Sequence, residues 1–305
     1  MSKKAELVVE GRTLAVSNLD KVLYPKAGFT KGALIDYYIK IAPVLLPHLQ
    51  NRPLTMKRYP NGVEAPFFYE KNCPSHRPAW VKTAGIWSEG NQREMQYCLA
   101  QDLPTLVWAA NLADIELHTS LSRKTNPARP TMMVFDLDPG APADIVQCCE
   151  VGLWLREILQ SLKLESWAKT SGSKGLQVYV PLNTPATYDE TKALSHALAE
   201  HLEREHPTLV VSKMLKALRK GKVFVDWSQN DEHKTTVNVY SLRAKEQPTA
   251  STPVTWEEVA TALKRKDAAM FSFHCAETLK RVEKMGDLFE PVEALKQKLP
   301  KKWSL

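Results

Sequence analysis

The sequence predicts an α/β (α+β) protein made of two modules packed as one domain, residues 1–128 and 129–305, and three observations carry that expectation. Short apolar runs suited to strands alternate with longer stretches of 3.6-residue periodicity along the whole chain. Beyond Pro139 the pattern reads helix, strand, turn, strand, helix, strand, strand, the mixed order of a sheet with helices packed on it. Between them, Ser122-Arg123-Lys124-Thr125-Asn126-Pro127-Ala128-Arg129-Pro130 is basic and proline-broken, and reads as a loop crossing between modules.

The 305 residues are ample for a core, and 44% hydrophobic with 25% charged content is the balance of a soluble globular protein. No apolar run is long enough to span a bilayer, and the Met-Ser-Lys-Lys start has no signal-peptide core, so no membrane association is expected. Five cysteines without paired spacing argue for a reducing cytoplasm and against a zinc site or a disulfide frame. A net charge of +7 favours a polyanionic partner.

The chain opens with Leu7-Val8-Val9 and Leu14-Ala15-Val16 around Glu10-Gly11-Arg12, the pattern of a short hairpin. Thr30-Lys31-Gly32-Ala33 starts a helix to about residue 48, with Leu34, Tyr37, Tyr38, Ile41 and Leu45 on its apolar face. Residues 52–62 read as a strand ending in a turn. Lys57-Arg58 with Phe67, Phe68 and Tyr69 reads either as phosphate contacts beside a stacking platform or as a solvated charge pair beside core aromatics. A second small sheet and a helix are expected over residues 81–110, followed by Asp114-Ile115-Glu116-Leu117-His118. In the second module residues 144–162 form a helix with Ile145, Cys148, Val151, Leu155 and Leu159 inward, and residues 164–170 a strand. Helices close the chain over residues 256–263 and 276–285, before a Lys-rich tail.

Three stretches carry chemistry. Met132-Met133-Val134-Phe135-Asp136-Leu137-Asp138-Pro139-Gly140 is a strand with two carboxylates on one face, on the order of 6–7 Å apart. Carboxylates that close repel unless protonated or joined by a cation, and all-oxygen ligands suit Mg²⁺ or Mn²⁺; the alternative is that Asp138 only starts the Pro-Gly turn. Thr170-Ser171-Gly172-Ser173-Lys174-Gly175-Leu176 reads equally as a phosphate-binding hairpin and as a plain glycine-rich one. Lys222-Val223-Phe224-Val225-Asp226-Trp227-Ser228 places an aspartate in an apolar strand, with residues 235–245 as its expected partner strand. If Asp226 shares the face of Asp136 and Asp138, the three carboxylates surround one point that only cations can hold ionised; otherwise Asp226 pairs with Arg219 or Lys222.

In this order Phe135-Asp136-Leu137-Asp138-Pro139-Gly140, the Thr170–Leu176 hairpin, Val223-Phe224-Val225-Asp226-Trp227-Ser228-Gln229-Asn230 and Tyr240-Ser241-Leu242-Arg243 resemble the polymerase domain of bacterial DNA ligase D. That family belongs to the archaeo-eukaryotic primase superfamily and serves non-homologous end joining. Asp20-Lys21-Val22-Leu23-Tyr24-Pro25, Thr30-Lys31, Arg52-Pro53 and Lys57-Arg58-Tyr59-Pro60-Asn61-Gly62-Val63 extend the likeness over the first module, so it covers almost the whole chain.

The resemblance implies a primase-polymerase fold, with a smaller N-terminal α/β module that contacts DNA and its 5′-phosphate and a catalytic module with an RRM-like sheet. It implies a nucleotidyltransferase with two Mn²⁺ or Mg²⁺ ions held by Asp136, Asp138 and Asp226, using nucleoside triphosphates and favouring ribonucleotides. His118, Ser171, Lys174, Gln177, Gln229, Arg243 and Lys245 match nucleotide-binding positions. Lys21 and Lys31 match a downstream 5′-phosphate pocket, Lys57 and Arg58 are further DNA contacts, and Phe68 with Tyr69 matches an aromatic pair against template bases. Implied partners are DNA with a gap, nick or end bearing a 5′-phosphate, Ku and a DNA ligase, with a cytoplasmic, nucleoid-associated location. Two positions depart from the family: Gln177 stands where histidine is usual, and Lys245 where arginine is usual, losing the bidentate fork. No Lys-x-Asp-Gly nucleophile is present, so ligase adenylation is not expected. The rival readings are a non-catalytic DNA-end binding module and a metal-dependent phosphoesterase using the same aspartates.

Overall fold

The computed structural model describes residues 4–301 and 303. The fold is mixed α/β and divides into two compact units. One runs to Thr125 and takes back Thr235–Ala250 and Phe273–Gly286; the other comprises Asn126–Lys234, Ser251–Ser272 and the chain from Asp287 on. The first crossing falls between Thr125 and Asn126, inside the basic proline-broken stretch, and the chain then crosses again rather than dividing at a single cut.

In the first unit the helix Lys31–Leu49 begins where expected, with Thr30 Oγ1 accepting from Ala33 N at 3.2 Å. Its buried face packs beside the helix Leu103–Asn111 over an antiparallel sheet. The sheet runs Thr236–Val237, Asp114–Thr119, Leu54–Arg58, Arg93–Cys98, Thr83–Ser88, with Phe68–Glu70 also paired to Leu54–Arg58. Tyr38 donates its hydroxyl to Ile115 O and Tyr37 to Tyr240 O, both at 2.7 Å, which satisfies the polar ends of two buried rings and ties the helix to the sheet and to the returning segment. The expected hairpin is present as Lys4–Val9 paired with Arg12–Ser17, turning through Glu10 and Gly11 at positive φ.

Two expectations are corrected here. Cys73 and Cys98 form a disulfide despite their separation of 25 residues, because Cys73 N donates to Gln96 O and brings the loop alongside the strand end. Residues 235–245 do not pair with the Asp226 strand. Only Thr236–Val237 is extended, and it pairs with His118 and Thr119. Both edges of Val223–Asp226 are already occupied, by Met132–Pro139 and by Val210–Val211, and Tyr240 at φ 62° breaks any longer strand.

The second unit is a six-stranded sheet in the order Val210–Val211, Val223–Asp226, Met132–Pro139, Leu176–Pro181, Trp167–Thr170, Pro253–Val254. The helix Ile145–Ser161, closed at its start by an Asp144–Gln147 capping box, lies on the face of Leu137 and Leu176. By strand alternation Asp136 and Asp138 point to the opposite face. The basic stretch ahead of Val223–Asp226 forms a single 3₁₀ turn, Lys216–Arg219. Among the described residues no helix is long and apolar enough to cross a membrane.

Candidate active site

The three aspartates meet on the second unit's sheet. Met132–Pro139 pairs with Val223–Asp226 in a register that sets Asp136 directly opposite Asp226, with Asp138 two residues further along the same strand. Asp226 Oδ1 accepts from the Ser228 amide at 3.0 Å and its hydroxyl at 2.5 Å, and Oδ2 accepts from Gln229 Nε2 at 2.8 Å. Arg219 instead lies over the Phe224 ring at 3.7 Å, and Lys222 donates to Pro207 O. Asp226 is therefore oriented by its own 3₁₀ turn.

Asp136 is the anomalous group. Its Oδ1 is buried without a hydrogen-bond partner. Burial, then the neighbouring charge of Asp138, push its carboxyl up to about 7; a hydrogen bond from Gln177 opposes that rise, Asp226 adds to it, and Lys169 reduces it. A buried carboxylate oxygen without a partner beside two further carboxylates has the chemistry of a hard-cation ligand set. Among the described residues no group of three or more acidic, histidine or cysteine side chains is placed to hold a metal ion by itself. Completion by water and phosphate oxygens is what Mg²⁺ ordinarily requires.

Behind Asp136 lies a polar chain of which sequence reasoning singled out only Gln177. Gln177 stands opposite Asp136 on the next strand. Its Oε1 accepts from Lys169 Nζ at 2.6 Å, and Lys169, wholly buried, also donates to Ser251 Oγ at 2.6 Å. The amide can therefore turn its NH₂ toward Asp136, since its oxygen is taken by an ammonium that only donates. The signal available in the sequence was a lysine inside the apolar strand ahead of Thr170.

The hairpin is rigidly built. Ser171 Oγ accepts from the amides of Ser173 at 3.2 Å and Gly175 at 3.1 Å, and Ser171 N donates to Gly175 O. A Cβ on Gly175 would lie 2.2 Å from Leu137 O, so only glycine lets the turn close onto the Met132–Pro139 strand. Lys174 donates to Pro139 O at 2.9 Å, which brings its ammonium to the end of the Asp138 strand.

The first unit holds a second constellation around a residue the sequence did not single out, Glu116, which is 2% exposed. His118 Nε2 lies 3.0 Å from its Oε2 and Arg243 Nε 3.3 Å, while Lys57 Nζ at 3.3 Å, Ala244 N at 3.1 Å and the Tyr59 hydroxyl at 3.4 Å reach its Oε1. Against the penalty of burial, the His118 hydrogen bond and the charges of Arg243 and Lys57 hold this carboxyl well below the usual carboxylate range. His118 is itself lowered, by burial first, with the Glu116 bond opposing and Arg243 and Lys57 adding. The signal was the spacing: Glu116 and His118 are two apart on one strand and so share a face. Lys245 lies exposed two residues beyond Arg243.

Around it the cations are shielded and the aromatics exposed, the reverse of a solvated charge pair beside core rings. Phe67, Phe68 and Tyr69 are 48%, 44% and 54% exposed. The Lys57 ammonium is 4.4 Å from the centre of the Phe67 ring, and Arg58 pairs with Glu70 at 2.5 Å beneath Phe68. Lys31 N donates to Lys21 O, and Lys21 Nζ to Asn61 Oδ1 at 2.9 Å. Burial, then Lys21 and Arg58, lower the Lys31 ammonium to about 8.

Residues 30–289 match the family described as "LigD, primase-polymerase domain". The chain is 40% identical over 283 residues to the multifunctional non-homologous end joining protein LigD of Mycolicibacterium smegmatis, covering 92% of this chain and 36% of that protein. It is 32% identical over 299 residues to the bifunctional non-homologous end joining protein LigD of Bacillus subtilis, covering 95% and 47%. It thus spans between a third and a half of the length of these curated relatives. Among solved structures, the polymerase domain from Mycobacterium tuberculosis ligase D in complex with DNA superposes with a TM-score of 0.85 at 39% identity, covering 94% of this chain and 99% of that one.

Proposed function

The chain belongs to the primase-polymerase domain family of LigD and is a nucleotidyltransferase, and on that premise we propose that it adds nucleotides, ribonucleotides in preference, under template direction at DNA ends and short gaps in non-homologous end joining. The observation that carries this reading is the Asp136–Asp226 cross-strand pair with Asp138 beside it and one buried oxygen of Asp136 lacking a partner.

A pair of divalent ions, Mn²⁺ or Mg²⁺, held by Asp136, Asp138 and Asp226, would supply the positive charge that ionises a primer 3′-hydroxyl and neutralises a departing pyrophosphate. The residues around them do the positioning. Ser228 and Gln229 fix the carboxylate plane of Asp226, and Gln177 fixes that of Asp136. Lys174 presents an ammonium to triphosphate oxygens from a hairpin whose shape Ser171 maintains. For His118, Arg243 and Lys245 in the other unit, nucleotide contact is supported by the family resemblance and by the surplus positive charge around Glu116. The exposed Phe68 and Tyr69 suit stacking on template bases, with Lys57 and Arg58 behind them, and the Lys21–Lys31 pair suits a downstream 5′-phosphate. A gapped or broken DNA, Ku and a DNA ligase are the proposed partners, and action at the nucleoid places the chain in the cytoplasm.

Primer extension on a gapped duplex with a downstream 5′-phosphate tests the reading, with Mn²⁺ or Mg²⁺ and with ribonucleotides and deoxyribonucleotides supplied separately. Templated extension by the wild type, preferring ribonucleotides and abolished in Asp136→Ala, is expected. Nucleotide release without any triphosphate requirement would instead make the chain a phosphoesterase.

A further inference from the structure

We propose that Glu116 is a positioning residue for nucleotide binding: one buried carboxylate fixes the tautomer of His118 and anchors the Arg243–Ala244 segment, so that both side chains meet a nucleotide pre-oriented. The inference rests on the reading of His118 and Arg243 as nucleotide contacts and adds to it the group that organises them.

A carboxylate accepts and cannot donate, so the 3.0 Å contact requires the His118 proton on Nε2. The ring is kept neutral by burial and by Arg243 and Lys57, and a neutral ring protonated on Nε2 presents Nδ1 as an acceptor. It can then receive a hydrogen bond from a hydroxyl or a water but has none to give a phosphate oxygen. Arg243 is held by hydrogen bonds to its main chain and by an ion pair, without hydrogen-bond geometry, at its Nε. Its carbonyl accepts from the Tyr24 hydroxyl at 3.0 Å, the next amide donates to Glu116 Oε1, and its Nε lies 3.3 Å from Oε2. Lys57 and Arg243 bring two positive charges to one negative, so the cluster retains a net positive charge while His118 is neutral. A buried ion pair serves stability poorly relative to apolar packing, whereas an organised surplus of positive charge suits an anionic ligand. The ligand class that fits is a nucleotide offering a hydroxyl to His118 and phosphate oxygens to Arg243.

Nitrogen-15 NMR of the wild type, together with Glu116→Gln and Glu116→Asp, tests the proposal. The wild-type His118 ring is expected neutral at pH 6.5 with its proton on Nε2, and a proton on Nδ1 overturns the proposal even if no variant folds. Glu116→Gln is expected to raise the Kd for a ribonucleoside triphosphate about tenfold and to lower kcat/KM about 10–100-fold through mispositioning. It should also release the tautomer, with Glu116→Asp recovering part of each. His118→Ala and Arg243→Ala run alongside. If neither weakens nucleotide binding, the reading of those side chains fails. If both weaken it while Glu116→Gln binds as the wild type with an unaltered tautomer, the positioning role fails instead.

Discussion

Lys31 and Lys169 are two buried ammonium groups put to different uses. Lys31 is 6% exposed and lowered to about 8, so it is charged at pH 7 and loses its proton as pH rises toward 9. Its folded value lies below the ordinary one, so the neutral form is the one folding favours, and the charge available to the proposed 5′-phosphate contact disappears across that window. The preference for a 5′-phosphorylated gap over an unphosphorylated one should therefore shrink between pH 7 and pH 9, read as the ratio of the two Kd values. Lys31→Met should flatten that dependence, and an unchanged ratio in the wild type would remove Lys31 from the pocket. Lys169 acts through Gln177 on Asp136. Lys169→Met should weaken Mn²⁺ binding about 10–100-fold, as loss of a group that orients a metal ligand does. Titration of Mn²⁺ by its magnetic resonance signal reads this without reference to turnover. That Asp136 and Asp138 share one strand face, and that Lys174 lies in the glycine-rich hairpin, was legible residue by residue. Glu116 and Lys169 left only a faint signal in strand position and spacing, because the role of a buried charge is set by the partners that surround it.

At the scale of elements, strand alternation and helix periodicity located the hairpin, the helices Lys31–Leu49 and Ile145–Ser161, and the strand Met132–Pro139 to within a few residues. The failures concern pairing. Thr236–Val237 has strand composition but joins the Asp114–Thr119 strand, and composition carries no information about which edge is vacant. The Cys73–Cys98 bond is of the same kind, since it depends on a loop being laid against a strand end. It closes a loop of 25 residues near the exposed aromatic strand Phe68–Glu70. Cys98→Ser should cost about 3 kcal/mol of stability, measured by chemical unfolding against the oxidised wild type. An equal midpoint for the two proteins would show that the bond constrains nothing.

Over the whole molecule, a net charge of +7 and several shielded cations beside exposed rings give the proposed DNA binding a large electrostatic component. The logarithm of Kd for gapped DNA should rise linearly with the logarithm of salt concentration. Removing Lys21 should lower the slope by about one phosphate contact, whereas Phe68→Ala should weaken binding without changing the slope. Composition, the ordered motifs and the 2.0- and 3.6-residue periods were enough, from sequence alone, to determine the mixed α/β class and the family, because those properties are local or are carried by residue order. Tertiary structure alone decided that Asp136 faces Asp226 in register, that one of its oxygens is buried without a partner, that Glu116 gathers His118, Arg243 and Lys57, and that the chain returns to its first unit after Lys234. Those facts depend on which strands share an edge and on how far each charge is withdrawn from water, and neither quantity exists until the chain has folded.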